Sequence, residues 1–163
     1  MIYKNKFIYI FWALLAAASC RKEPRYIYVV EQQELYQNAA QKTNLKSTAQ
    51  FIAIAYNDLF GASITNDELL RYDIALQSVG DKNTMQDMIV RALLNRSGVK
   101  QVSNEAMRAD IEAFIRQEYL RFYNREPGAY EIWKLKDMIE KNTDITPKMV
   151  YYSFMTADEY KYY

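Results

Sequence analysis

Apolar side chains recur at Ile52, Tyr56 and Leu59, and again at Met107, Ile111, Phe114 or Ile115, and Phe122. Steps of three and four residues are the period of a helix that buries one stripe and wets the other. No stretch alternates apolar and polar residues for long enough to form a sheet. The pattern predicts helices near 48–60, 66–79, 84–95, 104–123, 128–141 and 147–155, with a short one from 157. Punctuation agrees with the periodicity. Thr65-Asn66-Asp67-Glu68 and Thr156-Ala157-Asp158-Glu159 fit the capping box, in which a hydroxyl and a glutamate satisfy each other's backbone N–H. Thr146-Pro147 sets a cap before a proline at the first helical position. The expected fold class is all-α.

The front of the chain is built differently. Lys4 and Lys6 precede a run of uncharged, mainly apolar residues from Phe7 to Ala18, which ends in small residues before Cys20. Such a run is shorter than the roughly 20 residues a membrane span needs and fits the apolar segment of an export signal. Ala17-Ala18-Ser19-Cys20 resembles a bacterial lipobox, which implies cleavage before Cys20 and acylation of that residue. Arg21, where an aspartate would retain the protein, implies passage to the outer membrane. On this reading residues 1–19 are a signal peptide and 20–46 an anchor and extended tether. Within the tether Tyr26, Tyr28 and Val30 form a short β-prone run, either a strap on the helical body or an edge strand added to a partner's sheet.

Charge and composition narrow the chemistry. Lys plus Arg number 21 against 20 Asp plus Glu, so no broad basic surface for nucleic acid is expected. Histidine is absent and cysteine occurs once, which removes the commonest metal ligand, the usual base near neutral pH and any internal disulfide. No cofactor or metal is expected, and no catalytic residue. Only carboxylate pairs, Glu126 with Glu131 or Asp67 with Glu68, offer acid and base chemistry. Neither is accompanied by a nucleophile or a phosphate-binding loop, and the chain is expected not to be an enzyme.

Residues 51–69, FIAIAYNDLFGASITNDEL, align without gaps onto residues 114–132, FIRQEYLRFYNREPGAYEI. Phe51/Phe114, Ile52/Ile115, Tyr56/Tyr119 and Glu68/Glu131 are identical, and Leu59/Phe122, Phe60/Tyr123 and Leu69/Ile132 are similar. After a two-residue deletion, IVRALLN at 89–95 matches VYYSFMT at 150–156. Self-similarity at a fixed spacing indicates a repeated unit. The mature chain therefore reads as two tandem helical units, 47–100 and 103–163.

The second unit, through FIRQEYLRFYNREPGAYEIW and DITPKMVYYSFMTADEY, resembles the phycobilisome-linker-like helical domain, also known in bacterial surface proteins as the DUF4214 type. Tyr119, Arg125, Pro127, Phe154, Met155, Glu159 and Tyr160 carry the resemblance, and Trp133 stands near the family's aromatic position. Asn124 replaces the family's helix-ending glycine. The first unit keeps that glycine as Gly61 but lacks the Arg-x-Pro triplet and the tryptophan, so it reads as a degenerate copy. The resemblance implies a non-catalytic domain that organises other proteins.

Arg125, Tyr130 and Trp133 are the candidate site. One reading makes this stretch a corner, with Asn124 ending one helix, Pro127 starting the next, Arg125 pairing with Glu131 or Glu159, and Tyr119, Phe122, Tyr130 and Trp133 packing the helices together. The other makes Tyr130, Trp133 or the closing YKYY run an exposed platform for sugar or peptide. Exposure of the rings favours the platform and burial the corner. The expected function is that of an outer-membrane lipoprotein, held by its acyl chains, that binds or braces an envelope protein; a glycan ligand is the alternative.

Overall fold

Helical spacing is realised from Thr48 onward in a computed structural model that describes residues 42–162. These residues belong to one compact unit, Tyr36–Tyr163. Cys20 and the Tyr26, Tyr28 and Val30 run lie outside the described residues. Seven helices follow in order: α1 (Thr48–Phe60), α2 (Asn66–Ser78), α3 (Lys82–Leu94), α4 (Asn104–Ala109), α5 (Ile111–Tyr123), α6 (Ala129–Lys141) and α7 (Pro147–Thr156). A 3-10 turn at Asp158–Lys161 closes the chain. Among the described residues there is no strand, only an antiparallel bridge between Leu45 and Tyr162.

The caps explain where each helix starts. The Ser47 hydroxyl accepts the Gln50 N–H at 3.2 Å while Gln50 Oε1 accepts the Ser47 N–H at 2.8 Å, a reciprocal box. Thr65 and Thr146 cap α2 and α7 as their sequence predicts, by accepting the N–H groups of Glu68 and Met149. The Glu68 carboxylate, however, does not return to the cap; it pairs with Arg96. Asp81 accepts the Thr84 N–H at 3.1 Å and brings the start of α3 forward to Lys82.

Two predicted features are corrected. The single helix expected over 104–123 is broken at Asp110 (φ −147, ψ 86), whose carboxylate accepts the Ala113 N–H at 2.9 Å and so starts a new helix. Aspartate competes for nearby backbone N–H groups in this way, and the apolar period runs through the break without registering it. Thr156 does not cap the last turn. It ends α7 with its hydroxyl donating to the Tyr152 carbonyl at 2.8 Å, while Glu159 is drawn to Arg125.

α1, α2 and α3 pack on one another, α5 packs on α6 and α7, and α3 against α7 joins the two sets. A shift of 63 positions carries α1 onto α5 and α2 onto α6 at both ends. The same shift carries buried Phe51, Ile52, Leu59 and Leu76 onto buried Phe114, Ile115, Phe122 and Ile139. With the deletion, buried Ile89, Val90, Leu93 and Leu94 of α3 fall on buried Val150, Tyr151, Phe154 and Met155 of α7. α1 and α5 also end alike, on Gly61 (φ 62) and Asn124 (φ 51), the left-handed conformation that only glycine and asparagine enter cheaply.

Matching positions also meet. Arg121 Nε donates to the carbonyl of its counterpart Asp58 at 2.6 Å, and Arg91 Nη2 donates to the hydroxyl of its counterpart Tyr152 at 2.5 Å.

Candidate functional site

The corner between α5 and α6 is organised by Arg125, which follows the left-handed Asn124 and precedes the buried Pro127. Its Nε and Nη2 donate to Glu159 at 2.6 and 2.7 Å, its Nη2 and Nη1 to Glu131 at 2.7 and 2.8 Å, and its Nη1 to the Glu126 carbonyl at 3.1 Å. All five guanidinium N–H groups are thereby used. The guanidinium also lies 5.0 Å from the Tyr119 ring centre and 5.8 Å from that of Tyr123. Glu131 additionally accepts the Gly128 N–H at 2.7 Å, the glutamate half of a capping box, while glycine has no side chain to make the other half. These hydrogen bonds, Arg125 foremost, hold the Glu131 carboxyl below the usual carboxylate range despite its partial burial. Arg125 is fully engaged within the fold.

The aromatic residues of the corner divide. Tyr119 and Phe122 are buried and meet Phe154 edge to face, with ring centres 5.0 and 5.9 Å away. Tyr130 and Trp133 are 60% and 58% exposed and lean on each other, ring centres 5.7 Å apart with planes inclined at 37°. The expected packing role therefore holds for the first two and is corrected for the second two. Both lie on the exposed side of α6, which buries only Ile139 fully and packs chiefly on α5. In the YKYY run, Tyr160 is wholly buried, with its hydroxyl donating to Asp58 Oδ2 at 2.6 Å, and so forms no surface platform. The nominated carboxylates are dispersed: Glu131 on Arg125, Glu68 on Arg96, and Glu126 3.6 Å from Arg116.

A second polar constellation joins the end of α1 to α5. A cleft of about 580 Å³ is lined there by Asn57, Asp58, Lys100, Gln117, Glu118 and Arg121. Glu118 is 1% exposed, the one buried charged residue among the described ones, and it accepts from the Tyr151 hydroxyl at 3.0 Å and Arg121 Nη1 at 3.3 Å. Burial pushes its carboxyl above the usual range, and Arg121 opposes the shift. Arg121 also donates to the carbonyls of Asp58 at 2.6 Å and Lys100 at 2.9 Å, so it closes the end of α1 as well as the ion pair. Sequence reasoning missed this group, although the signal was present: Glu118 interrupts the apolar stripe of Phe114, Ile115, Tyr119 and Phe122, and Ala55 stands at the aligned position of residues 51–69.

The chain enters this body beside the same corner. Lys46 N–H donates to the Lys161 carbonyl at 2.9 Å, its ammonium reaches the Tyr160 carbonyl, and that ammonium lies 4.0 Å from the Tyr160 ring centre. Lys42 sits 3.8 Å from Glu159 and 5.5 Å from the Tyr123 ring centre. Among the described residues no helix is long and apolar enough to cross a membrane, and no group of carboxylates and thiols is placed to hold a metal ion. The chain matches no family model, no curated protein and no solved structure.

Proposed function

We propose that this is a non-enzymatic, lipid-anchored protein of the bacterial outer membrane, built from two copies of a phycobilisome-linker-like helical unit, that binds or braces an envelope protein. The duplication is supported by helix bounds and buried positions that coincide under one shift. The observation that carries the binding role is where the apolar surface lies. Arg125, Glu131 and Glu159 of the corner and Asp58, Glu118 and Arg121 of the cleft are engaged within the fold, whereas the matching helices α2 and α6 leave apolar side chains outward. α2 exposes Leu70 and Ile74 one turn apart, and Trp133 of α6 occupies the position that matches Leu70. Paired apolar residues on one side of an amphipathic helix suit an apolar groove in a partner protein.

The test is affinity capture of the tagged full-length protein from detergent-solubilised membranes, beside the double variant Leu70→Asp with Ile74→Asp. A stoichiometric envelope partner lost in the variant, with helicity and Tm unchanged, is expected. Equal recovery of that partner by a folded variant would remove α2 from the binding surface.

A second reading is favoured by the exposure of Tyr130 and Trp133, which a glycan-stacking site requires. Binding of cell-wall fragments or polysaccharide to the intact protein, abolished by Trp133→Ala, would establish it. No such binding by the wild type would dismiss it.

A further inference from the structure

Tyr130 and Trp133 share one side of α6 with Met138, two turns on, with Lys134 and Lys141, and with Glu140, seven residues after Trp133 and 4.0 Å from Lys136, all exposed. Asp137 on that side is neutralised by Lys141 at 2.7 Å. The rings are inclined at 37°, so one sugar ring stacks on either of them but not flat on both. Tryptophan and tyrosine with flanking lysines are instead the residues that settle at the boundary between acyl chains and headgroups, where the ring is half-buried and its polar tip stays wet.

The path of the chain supplies the second observation. Lys42 touches Glu159, Glu159 holds Arg125, Arg125 holds Glu131, and Glu131 stands in the first turn of α6 beside Tyr130. The segment leading back to Cys20 therefore joins the body at the Arg125 cluster, at the N-terminal end of α6. Its 22 residue steps span at most about 75 Å when extended, which leaves this side of the body within reach of the bilayer.

We infer that the Tyr130–Trp133 face of α6 rests in the headgroup layer of the membrane that holds the acylated Cys20. This rests on the lipid-anchor reading and adds an orientation to it. With α6 on the lipid, the matching α2 is left for a protein partner. The weak adsorption of one amphipathic face becomes effective because the anchor keeps it close to the surface.

Trp133 is the only tryptophan after Ser19, because the other is Trp12. Its emission therefore reports on the face directly. The acylated full-length protein is reconstituted into vesicles of phosphatidylethanolamine and phosphatidylglycerol, with and without lipid brominated near the headgroup. Bromolipid quenching of Trp133 is expected, together with iodide quenching at least roughly twofold weaker than in soluble, unacylated protein that begins at Arg21. Tyr130→Asp should reduce the bromolipid effect while helicity is kept. Acylated protein that stays with the vesicles while Trp133 remains open to iodide and untouched by bromolipid would uphold the anchor and overturn the face. Bromolipid quenching in Cys20→Ser protein that is released from cell membranes as readily as wild type would uphold the face and sink the anchor. Protection of Trp133 by soluble glycan, with none by lipid, would also overturn the inference.

Discussion

Arg125, at the corner after α5, and Glu159, in the turn after α7, form two parallel N–H···O bonds at 2.6 and 2.7 Å although 34 positions separate them. Glu131 completes the cluster from α6, so one guanidinium ties together three segments of the second half. Arg125→Lys keeps the charge but loses the planar fork. It should lower unfolding free energy by about 2 kcal/mol, less than the loss of a wholly buried pair, because the glutamates remain partly exposed. Urea denaturation monitored by helicity measures this, and a loss under about 0.5 kcal/mol would show that the fork is dispensable.

The two matching helix ends allow a paired measurement. Asn124→Ala forces a side chain without local hydrogen-bonding capacity into the left-handed region and should cost about 1 kcal/mol, whereas Asn124→Gly should be close to neutral. Gly61→Ala should cost at least as much, because its new methyl also displaces the flexible end of Lys100. Thermal melts of the three variants would show the order, and an Asn124→Ala protein as stable as wild type would contradict the role of the cap.

Alkaline stability follows from buried cations and phenols. Burial lowers Lys46 to about 8 in the folded protein against 10.5 as a free side chain, so the unfolded chain binds more protons between those values and stability rises with pH across them. Burial raises Tyr119 and Tyr151 to about 12, and Tyr160 well above its ordinary value of 10.0. The unfolded chain then loses phenolic protons first, and stability falls as pH climbs from about 10 towards 12. Denaturation midpoints measured across this range should pass through a maximum near pH 9 to 10. Lys46→Met should flatten the rising side, and an unchanged rise would reassign it to another group.

Glu118 tests whether a buried charge is needed where the other half has alanine. Glu118→Gln keeps an acceptor for Tyr151 and removes the desolvated carboxylate, so the variant should fold. Because burial raises the wild-type carboxyl, the wild type loses stability as pH rises from the ordinary glutamate value through the folded one. The variant should show a shallower loss over that interval, measured by chemical denaturation at several pH values. Identical slopes would mean that the carboxyl does not titrate differently on folding.

Tyr130→Ala and Trp133→Ala should each change stability by less than about 0.5 kcal/mol, since neither ring fills the core. Phe122→Ala, at a matching buried position, should cost about 3 to 4 kcal/mol through lost burial and a cavity. Tm values compared side by side would separate the exposed aromatic residues from the buried ones. A large loss in Trp133→Ala would return that ring to a packing role.

Much of the architecture was legible in the chain because helices depend on local periods. Steps of three and four residues, the proline after Thr146 and the resemblance between 51–69 and 114–132 each need only neighbouring positions, or two segments laid side by side. The same logic failed at Asp110, where one carboxylate outweighed an uninterrupted apolar period, and at Thr156, whose spacing fits a cap but whose hydroxyl bonds backward along α7.

What the sequence determined, then, is helix placement, the recurrence of the buried positions and the residues able to build the corner. Only the tertiary structure decided that Arg125 takes Glu131 and Glu159 together, that Tyr160 is buried on Asp58, and that Tyr130 and Trp133 stay outside. The physical reason is that aromatic residues look alike in a sequence whether they fill a core or face water. Burial depends on which neighbouring helix covers each face, and ion-pair choice depends on which carboxylate the chain brings within about 3 Å.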